Sequence, residues 1–483
     1  METLEGDLCD YESLSTLKVV NLSSTSIQSL PPSVSKLTSL VNLTLQECSM
    51  LVELPPEIGR LKNLKMFDLE GTELMYLPKE MGNLEILECL RVSLCTYADQ
   101  YKDSNGIEYI IPRTLILNFK KLEELSIGIN PDAKWWEVEL VEAILGNLHM
   151  LSCLKTLKLY FPTAKELRYL LRHENIQPPM YSRLRDFRLK VGHTEQQLAS
   201  CLPSQIVEGF DQLEKCLKYE NGEASLDEIE GLTGHANALF MRRLWTLEKL
   251  SIYDISELKY CLVAECNEMH TIVDARDVYG KGSTFNHDKK FAFDSVEYLA
   301  IYSMKKLKSI WKGPILGNSF TLLQVLALHT CPDLIIVFTE GMLNKLNRLT
   351  VLIVEDCPKV KTLVSREDTS TRKSYGPYLP KLKTILLLDL PELVSISTGV
   401  CIASQLDTLI VFNCLKFGDL NCSGLSNDVR KIIGENEWWD ALKGRRSIHS
   451  RAFLPLKRDG DLMNRLSEDT NSLKQFLKLP YQG

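Results

Sequence analysis

Leu40-Val-Asn-Leu43-Thr-Leu45-Gln-Glu-Cys48 reads L-x-x-L-x-L-x-x-C, and the same frame returns on both sides of it. Leu17/Val20/Leu22/Thr25 stand 23 positions earlier; Leu64/Phe67/Leu69/Thr72 follow after 24, and Leu87/Leu90/Val92/Cys95 after 23 more. A period in the twenties with aliphatic residues in these slots marks a solenoid, whose coils bury their apolar edges only against one another. Such a stack displays a surface, which suits recognition rather than catalysis.

The expected fold is α/β, a leucine-rich-repeat solenoid (horseshoe) with a parallel concave sheet, short convex helices or loops and a C-terminal cap. With 45% hydrophobic and 25% charged residues in 483, the composition is that of an ordinary folded chain. The net charge of -7 provides no general basic field, which argues against nucleic acid as a partner. The start, Met1-Glu-Thr-Leu-Glu-Gly-Asp, has neither the basic nor the apolar region of a signal peptide, and no stretch approaches 18 apolar residues. The chain therefore reads as cytoplasmic, with no membrane span. Of its 14 cysteines, Cys48, Cys266, Cys331, Cys357 and Cys414 fall at the turn after a strand, which suggests reduced, structural thiols.

Regular repeats are expected over 1–100, each followed by a Leu-Pro pair at Leu30-Pro31, Leu54-Pro55 and Leu77-Pro78 that starts the return segment. Irregular repeats with insertions span 101–242, with strand cores at Leu122/Leu125/Ile127, Leu154/Leu157/Leu159 and Leu184/Phe187/Leu189. Helical spacing marks Val138–Leu148 and Ala164–Arg172, whereas 192–242 shows no frame. Repeats of Cys-Pro type occupy 243–426, beginning with Leu247/Leu250/Ile252 and Leu258/Cys261/Val263/Cys266. A cap and tail occupy 427–483, with Trp438-Trp439 as the residues that shield the last core.

In each strand the residues between the frame positions face the concave side. They are mostly polar in the first repeats and turn apolar in the last ones. The candidate partner-binding residues there are Tyr298, Tyr302, Val325, His329, Val351, Ile353, Glu355, Leu386, Leu388, Ile410 and Phe412. Tyr302 and Phe412 are the candidate anchors. Three readings stand for this patch: the chain's own segment Ser447–Leu479 folds over it, a partner or further domain covers it, or strand residues are simply tolerant there.

Catalytic and cofactor signatures are weak in this chain. Gly280-Lys-Gly-Ser-Thr284 lacks the spacing of a phosphate loop and has no strand feeding it. Cys261, Cys266 and His270 could imitate metal ligands, but both cysteines fill repeat-frame positions. Asp68 and Glu70 share a face, where solvated carboxylates are the expectation. No catalytic residue, cofactor or metal is expected, and the chain reads as a non-enzyme.

With Leu326-Ala-Leu-His-Thr-Cys331-Pro332, Leu352-Ile-Val-Glu-Asp-Cys357-Pro358, Leu393-Val-Ser-Ile-Ser397, Ile310-Trp-Lys-Gly-Pro314 and the ending Ile432-Ile-Gly-Glu-Asn-Glu-Trp-Trp-Asp-Ala-Leu442, the chain resembles the repeat region of plant intracellular nucleotide-binding leucine-rich-repeat disease resistance proteins, coiled-coil class. The resemblance implies a region that senses a pathogen effector, directly or through a guarded host protein. It also implies one that holds a nucleotide-binding module at rest, in cis or in trans. Leu415 departs from the Cys-Pro pattern after Cys414. The sequence itself carries no coiled coil, phosphate loop or nucleotide-binding module, so nucleotide exchange is not expected to be this chain's own switch; a fragment of a longer receptor, a truncated product and a separate recognition or decoy subunit all fit this reading. The alternative is a substrate-recognition repeat subunit of a ubiquitin ligase, for which Met1–Ser13 is too short to supply an adaptor-binding module.

Overall fold

A computed structural model describes residues 15–100, 109–136, 140–171, 183–192, 209–210, 212–222, 233–251, 255–276, 290–364, 378–397, 402–418, 429–443 and 453–455. The phosphate-loop-like stretch 280–284, Ile252 and the tail beyond 455 lie outside the described residues. The chain divides into two compact units, 1–196 and 197–483.

In the first unit, β1 (Val19–Asn21), β2 (Asn42–Thr44), β3 (Met66–Leu74), β4 (Cys89–Leu94), β5 (Glu124–Ile129), β6 (Thr156–Phe161) and β7 (Asp186–Val191) pair in parallel, each with the next. The frame residues stack as rungs. Leu43, Phe67, Leu90, Leu125, Leu157 and Phe187 are register partners in succession and all are buried. Leu69, Val92 and Ile127 form the adjoining rung, with Leu45 next to it. Because the side-chain period is two, a one-residue slip would turn every rung outward, and burial of the whole set fixes the register.

The Leu-Pro pairs do what their chemistry demands. Pro31, Pro55 and Pro78 take extended backbone and start the single turns Pro32–Lys36, Pro56–Arg60 and Lys79–Asn83, which bury Val34, Ile58 and Met81. Adjacent turns approach closely: a Cβ on Gly59 would sit 2.2 Å from the Glu80 carbonyl oxygen. Gly59→Ala is thus expected to cost about 1–3 kcal/mol through overpacking, read as a lower urea midpoint. The helical spacing noted in the sequence matches a wide helical turn at Leu140–Leu145, a short helix at Gly146–Leu148 and α1 (Ala164–Leu171).

The second unit carries a parallel ladder of β8 (Cys216–Gly222), β9 (Ala238–Leu244), β10 (Tyr260–Ala264), β12 (Tyr298–Tyr302), β14 (Val325–His329), β15 (Val351–Glu355), β17 (Thr384–Leu388), β19 (Thr408–Phe412), β20 (Lys431–Gly434) and β21 (Phe453–Pro455). Strands β8 and β9 arise where the sequence shows no frame. In β9 the frame slots hold Ala236, Leu239, Met241 and Leu244, all buried, so the slots stay apolar while the leucine pattern is diluted.

Leu247 and Leu250, expected as the core of a ladder strand, are buried but do not belong to the main ladder; Leu250 bridges to Val273 in a return segment. The main-ladder strand sits earlier, at β9, whose weak frame gives no signal in the sequence. Among the return segments of this unit, one turn of helix forms at Glu340–Leu343, and two pairs of short strands add to the expected helices and loops: β11 (Thr271–Asp274) pairs with β13 (Ser309–Lys312), and β16 (Thr362–Val364) with β18 (Ser395–Ser397). Their β-branched residues suit an extended path (Thr271, Ile272, Val273, Ile310, Thr362 and Val364).

Each coil is tied to the next by one repeated device. Ser24, Glu47, Glu265, Ser303, Thr330, Asp356, Asp389 and Asn413 all have left-handed backbone, with φ between 48° and 58°. The N–H of each reaches the following repeat: Glu47 donates to Glu70 O at 2.8 Å, Ser303 to His329 O at 2.8 Å, Thr330 to Glu355 O at 2.9 Å and Asp389 to Phe412 O at 3.0 Å. Directly after this corner come the framed cysteines, whose thiols donate to strand carbonyls. Cys48 Sγ lies 3.1 Å from Leu22 O, and Cys414 Sγ lies 3.4 Å from Leu387 O. Small donors at this slot satisfy the carbonyls that the turn would otherwise leave buried and unpaired.

The ladder's C-terminal end explains the Ile-Ile-Gly-Glu…Trp-Trp stretch. Asn413 N–H is accepted by a side chain rather than a backbone carbonyl, Glu435 Oε2 at 2.9 Å, while the Glu435 carbonyl accepts the Trp439 N–H of the following helix at 3.0 Å. Gly434 leaves room for an indole, since a Cβ there would meet Trp438 Cε3 at 2.8 Å and Val411 O at 3.1 Å. From α2 (Asn436–Lys443), Trp438 Nε1 donates to Phe417 O at 2.8 Å, and Trp439 stacks on Phe453 with ring centroids 4.5 Å apart. Both indoles are buried.

Candidate functional site

The ladder face opposite the frame residues is the display face, and in the second unit the register sorts it into three rows. The first runs Cys216, Ala238, Tyr260, Tyr298, Val325, Val351, Thr384, Thr408 and Lys431. Down the centre come Lys218, Phe240, Leu262, Ala300, Ala327, Ile353, Leu386, Ile410, Ile433 and Leu454. The third holds Glu220, Arg242, Ala264, Tyr302, His329, Glu355, Leu388 and Phe412. All eleven candidate residues thus fall on one face. Tyr298, Val325 and Val351 lie in the first row and Ile353, Leu386 and Ile410 in the centre. Tyr302, His329, Glu355, Leu388 and Phe412 lie in the third.

Most of these apolar residues, with Ala238, Phe240, Leu262 and Ala300, form one continuous cluster of buried side chains. The extension through β8 and β9 escapes sequence reading because Phe240 can be assigned to a face only once its strand is known, whereas Leu262 lies between the legible frame positions Cys261 and Val263. At the polar edge, His329 stacks on Tyr302 with centroids 4.3 Å apart, and its Nδ1 lies 2.6 Å from Glu355 Oε2. That hydrogen bond holds the Glu355 carboxyl below its usual range, against the opposing effect of burial. Tyr302, His329 and Glu355 therefore form an oriented polar strip along an apolar field.

The display face of the first unit is different in kind. Arg91 Nε and Nη2 reach the two oxygens of Glu124 at 2.7 and 3.1 Å, and Nη1 reaches Asp68 Oδ2 at 3.0 Å. Asp68, expected to be solvated, is 2% exposed. Its other oxygen accepts the Glu70 N–H at 3.1 Å, so a fork of guanidinium and backbone donors compensates the buried charge. Burial raises the Glu124 carboxyl, but the hydrogen bond and charge of Arg91, with Lys158, outweigh it and leave the group below its usual range.

Chemistry is sparse elsewhere. Burial pushes the Cys261 and Cys266 thiols up to about 12, opposite to what a metal-binding thiolate needs. Among the described residues no cluster of His, Cys, Asp and Glu is arranged to hold a metal ion, and no helix is long and apolar enough to cross a membrane.

Comparison with known proteins adds identity to this geometry. Residues 5–215 match the family described as leucine-rich repeat region. Residues 255–358 and 295–427 match plant disease resistance protein RPS2-like, leucine-rich repeats. The Arabidopsis thaliana disease resistance protein At4g27190 is 22% identical over 435 residues, which make up 89% of this chain and 41% of that protein. A putative disease resistance protein of the same plant, At4g19050, is 43% identical over 70 residues, 14% of this chain and 6% of its own length. The chain thus spans about two fifths of the first relative. Among solved structures, a leucine-rich-repeat protein of Leptospira interrogans is similar at 17% identity and a TM-score of 0.40, covering 83% of this chain and 91% of that one. With its rungs, its left-handed corners and its matched segments, the chain belongs to the leucine-rich-repeat family, as a repeat region of the plant disease-resistance type.

Proposed function

We propose that this chain is the sensing and restraining region of a plant resistance protein, acting in the cytoplasm and without catalysis of its own. Its second display face would engage a pathogen effector or a guarded host protein, and the repeat region would hold a nucleotide-binding module, in cis or in trans, in its resting state. The observation that supports this best is the apolar field from Tyr298 to Phe412, bordered by the Tyr302–His329–Glu355 strip, within residues matched by the plant disease-resistance repeat model. An apolar field with aromatic anchors and a polar margin has the anatomy of a protein contact. No nucleic-acid partner is proposed.

A two-hybrid screen against host and pathogen secreted proteins tests the reading. Interactors are expected to be lost on Tyr302→Ala or Phe412→Ala, typically tenfold or more in affinity for an anchor worth about 2 kcal/mol. Val394→Ala, an exposed residue beside β18, is expected to leave them unchanged. Interactors indifferent to both anchors would place recognition elsewhere on the chain.

A further inference from the structure

The Ile310-Trp-Lys-Gly-Pro314 stretch takes no part in the display face; it builds a cleft among the return segments of the second unit. The cleft has a volume of about 600 Å³ and lies between β13, with the turn after it, and the chain from Ile335 to Gly341. Trp311 is buried, and its Nε1 donates to Pro314 O at 3.2 Å, which pins the Gly313–Pro314 turn as one wall. Gly313 permits that turn: its φ is 85°, and a Cβ would meet Arg276 N at 3.0 Å. Gly341 fits closely against Ile315, where a Cβ would meet Cγ1 at 3.2 Å. Packing and backbone geometry thus hold the walls in place before any ligand arrives, as in small-molecule sites generally.

The lining is apolar in part and cationic in part. Pro314, Ile335 and Ile336 supply aliphatic surface, and Ile335 is 52% exposed. Arg276 forks onto Asp274, Nε to Oδ1 at 2.9 Å and Nη2 to Oδ2 at 2.6 Å, so its charge is cancelled locally. Lys308 and Lys312 are then set against a single lining carboxylate, Glu340, and the cleft keeps a net positive charge. Nearby lysines differ: Lys306 pairs with Glu268, Lys359 with Asp333 and Lys416 with Glu392. Neither Lys308 nor Lys312 has an ion-pair partner among the described residues. A hydroxyl is spare as well. Thr271, the register partner of Ser309, donates to Val273 O at 3.2 Å, whereas the buried Ser309 hydroxyl in the cleft wall has no partner among the described residues. Two uncompensated ammonium groups beside apolar surface select a ligand that has both characters.

We propose that this cleft binds a small amphiphile, a carboxylate or phosphate head on a short apolar body, with Lys308 and Lys312 holding the head and Pro314, Ile335 and Ile336 the body. The site is independent of the display face and of the function proposed there. Titration calorimetry on the full chain uses three probes: octyl phosphate, inorganic phosphate and octanol. Octyl phosphate is expected to saturate a single site at least tenfold more tightly than either of the others, because each of those lacks half of the contact. Lys308→Ala/Lys312→Ala is expected to weaken it tenfold or more, and Ile335→Ser to weaken it while leaving inorganic phosphate unchanged. Lys308 and Ile335 are exposed, so these substitutions do not threaten the fold. Lys306→Ala, at a paired lysine nearby, is expected to change nothing. Vesicles of phosphatidylcholine carrying phosphatidic acid tell apart the two sources of such a head. Cosedimentation that fails in the double lysine variant assigns the head to a membrane lipid; octyl phosphate binding without cosedimentation assigns it to a soluble amphiphile. Octyl phosphate that does not saturate, or that binds the double lysine variant equally well, overturns the proposal. So does octanol bound as tightly, which would reduce the cleft to a bare apolar patch.

Discussion

Trp438→Ala is expected to open the last coils of the second unit while leaving the first unit folded. The indole fills the gap above Gly434, stacks on Phe417 with centroids 6.0 Å apart, and donates to the Phe417 carbonyl. Its removal leaves a cavity and an orphaned carbonyl together, a loss of about 3–5 kcal/mol. In a solenoid that loss is local, because each coil is held only by its neighbours. Hydrogen exchange should therefore accelerate by two to three orders of magnitude in β19 and β20 and stay unchanged in β2–β4. A uniform acceleration through the chain would show that the array unfolds as one unit and that the cap is not a separable element.

The second large effect is expected at Arg91. Arg91→Ala strands Asp68, which is 2% exposed, and removes both hydrogen bonds from Glu124. Leaving a desolvated carboxylate without its cation costs roughly 2–3 kcal/mol. Arg91→Lys should recover only part of this, because an ammonium cannot make the paired bonds to Glu124 and reach Asp68 as well. The pH dependence has a definite sign. Glu124 is held below its usual range in the folded chain, so its share of stability is complete above about pH 4.3, the unfolded value, and fades as pH falls through the lower folded value. Urea unfolding followed between pH 3 and 6 should show a flatter acid limb in Arg91→Ala. An unchanged limb would mean that the fork contributes geometry alone.

Much of this fold is written in residue spacing. Leu40, Leu43, Leu45 and their counterparts specify rung, register and face at once, because inward and outward positions alternate and only one phase buries leucine. Where the slots change chemistry, the pattern fades. Met241 and Ala236 are as buried as leucine but carry no periodic signal, so β8 and β9 are illegible in the sequence, and Leu247 and Leu250 supply a false frame nearby. The extended returns at β11 and β13 were equally hidden, since three or four β-branched residues do not distinguish a strand from a loop. For the candidate surface, identity was legible and environment was not. The sequence assigns Ile353, Leu386 and Ile410 to one face, but it does not show how deeply that face is buried. Asp68 shows the same limit, because its guanidinium partner comes from the next coil and is met only when the coils stack.

The left-handed corner has a consequence for how such an array can change length. Because Ser303, Thr330, Asp356 and Asp389 each hand one N–H to the strand ahead, every joint is interchangeable with the next. Duplicating or excising a whole coil would leave all joints satisfied and simply lengthen or shorten the surface. Inserting one residue between a strand and its corner would break a joint and invert a row. The chain is therefore tolerant of edits in whole modules and intolerant of small ones, with the Glu435 side chain taking the carbonyl's place at the Asn413 corner.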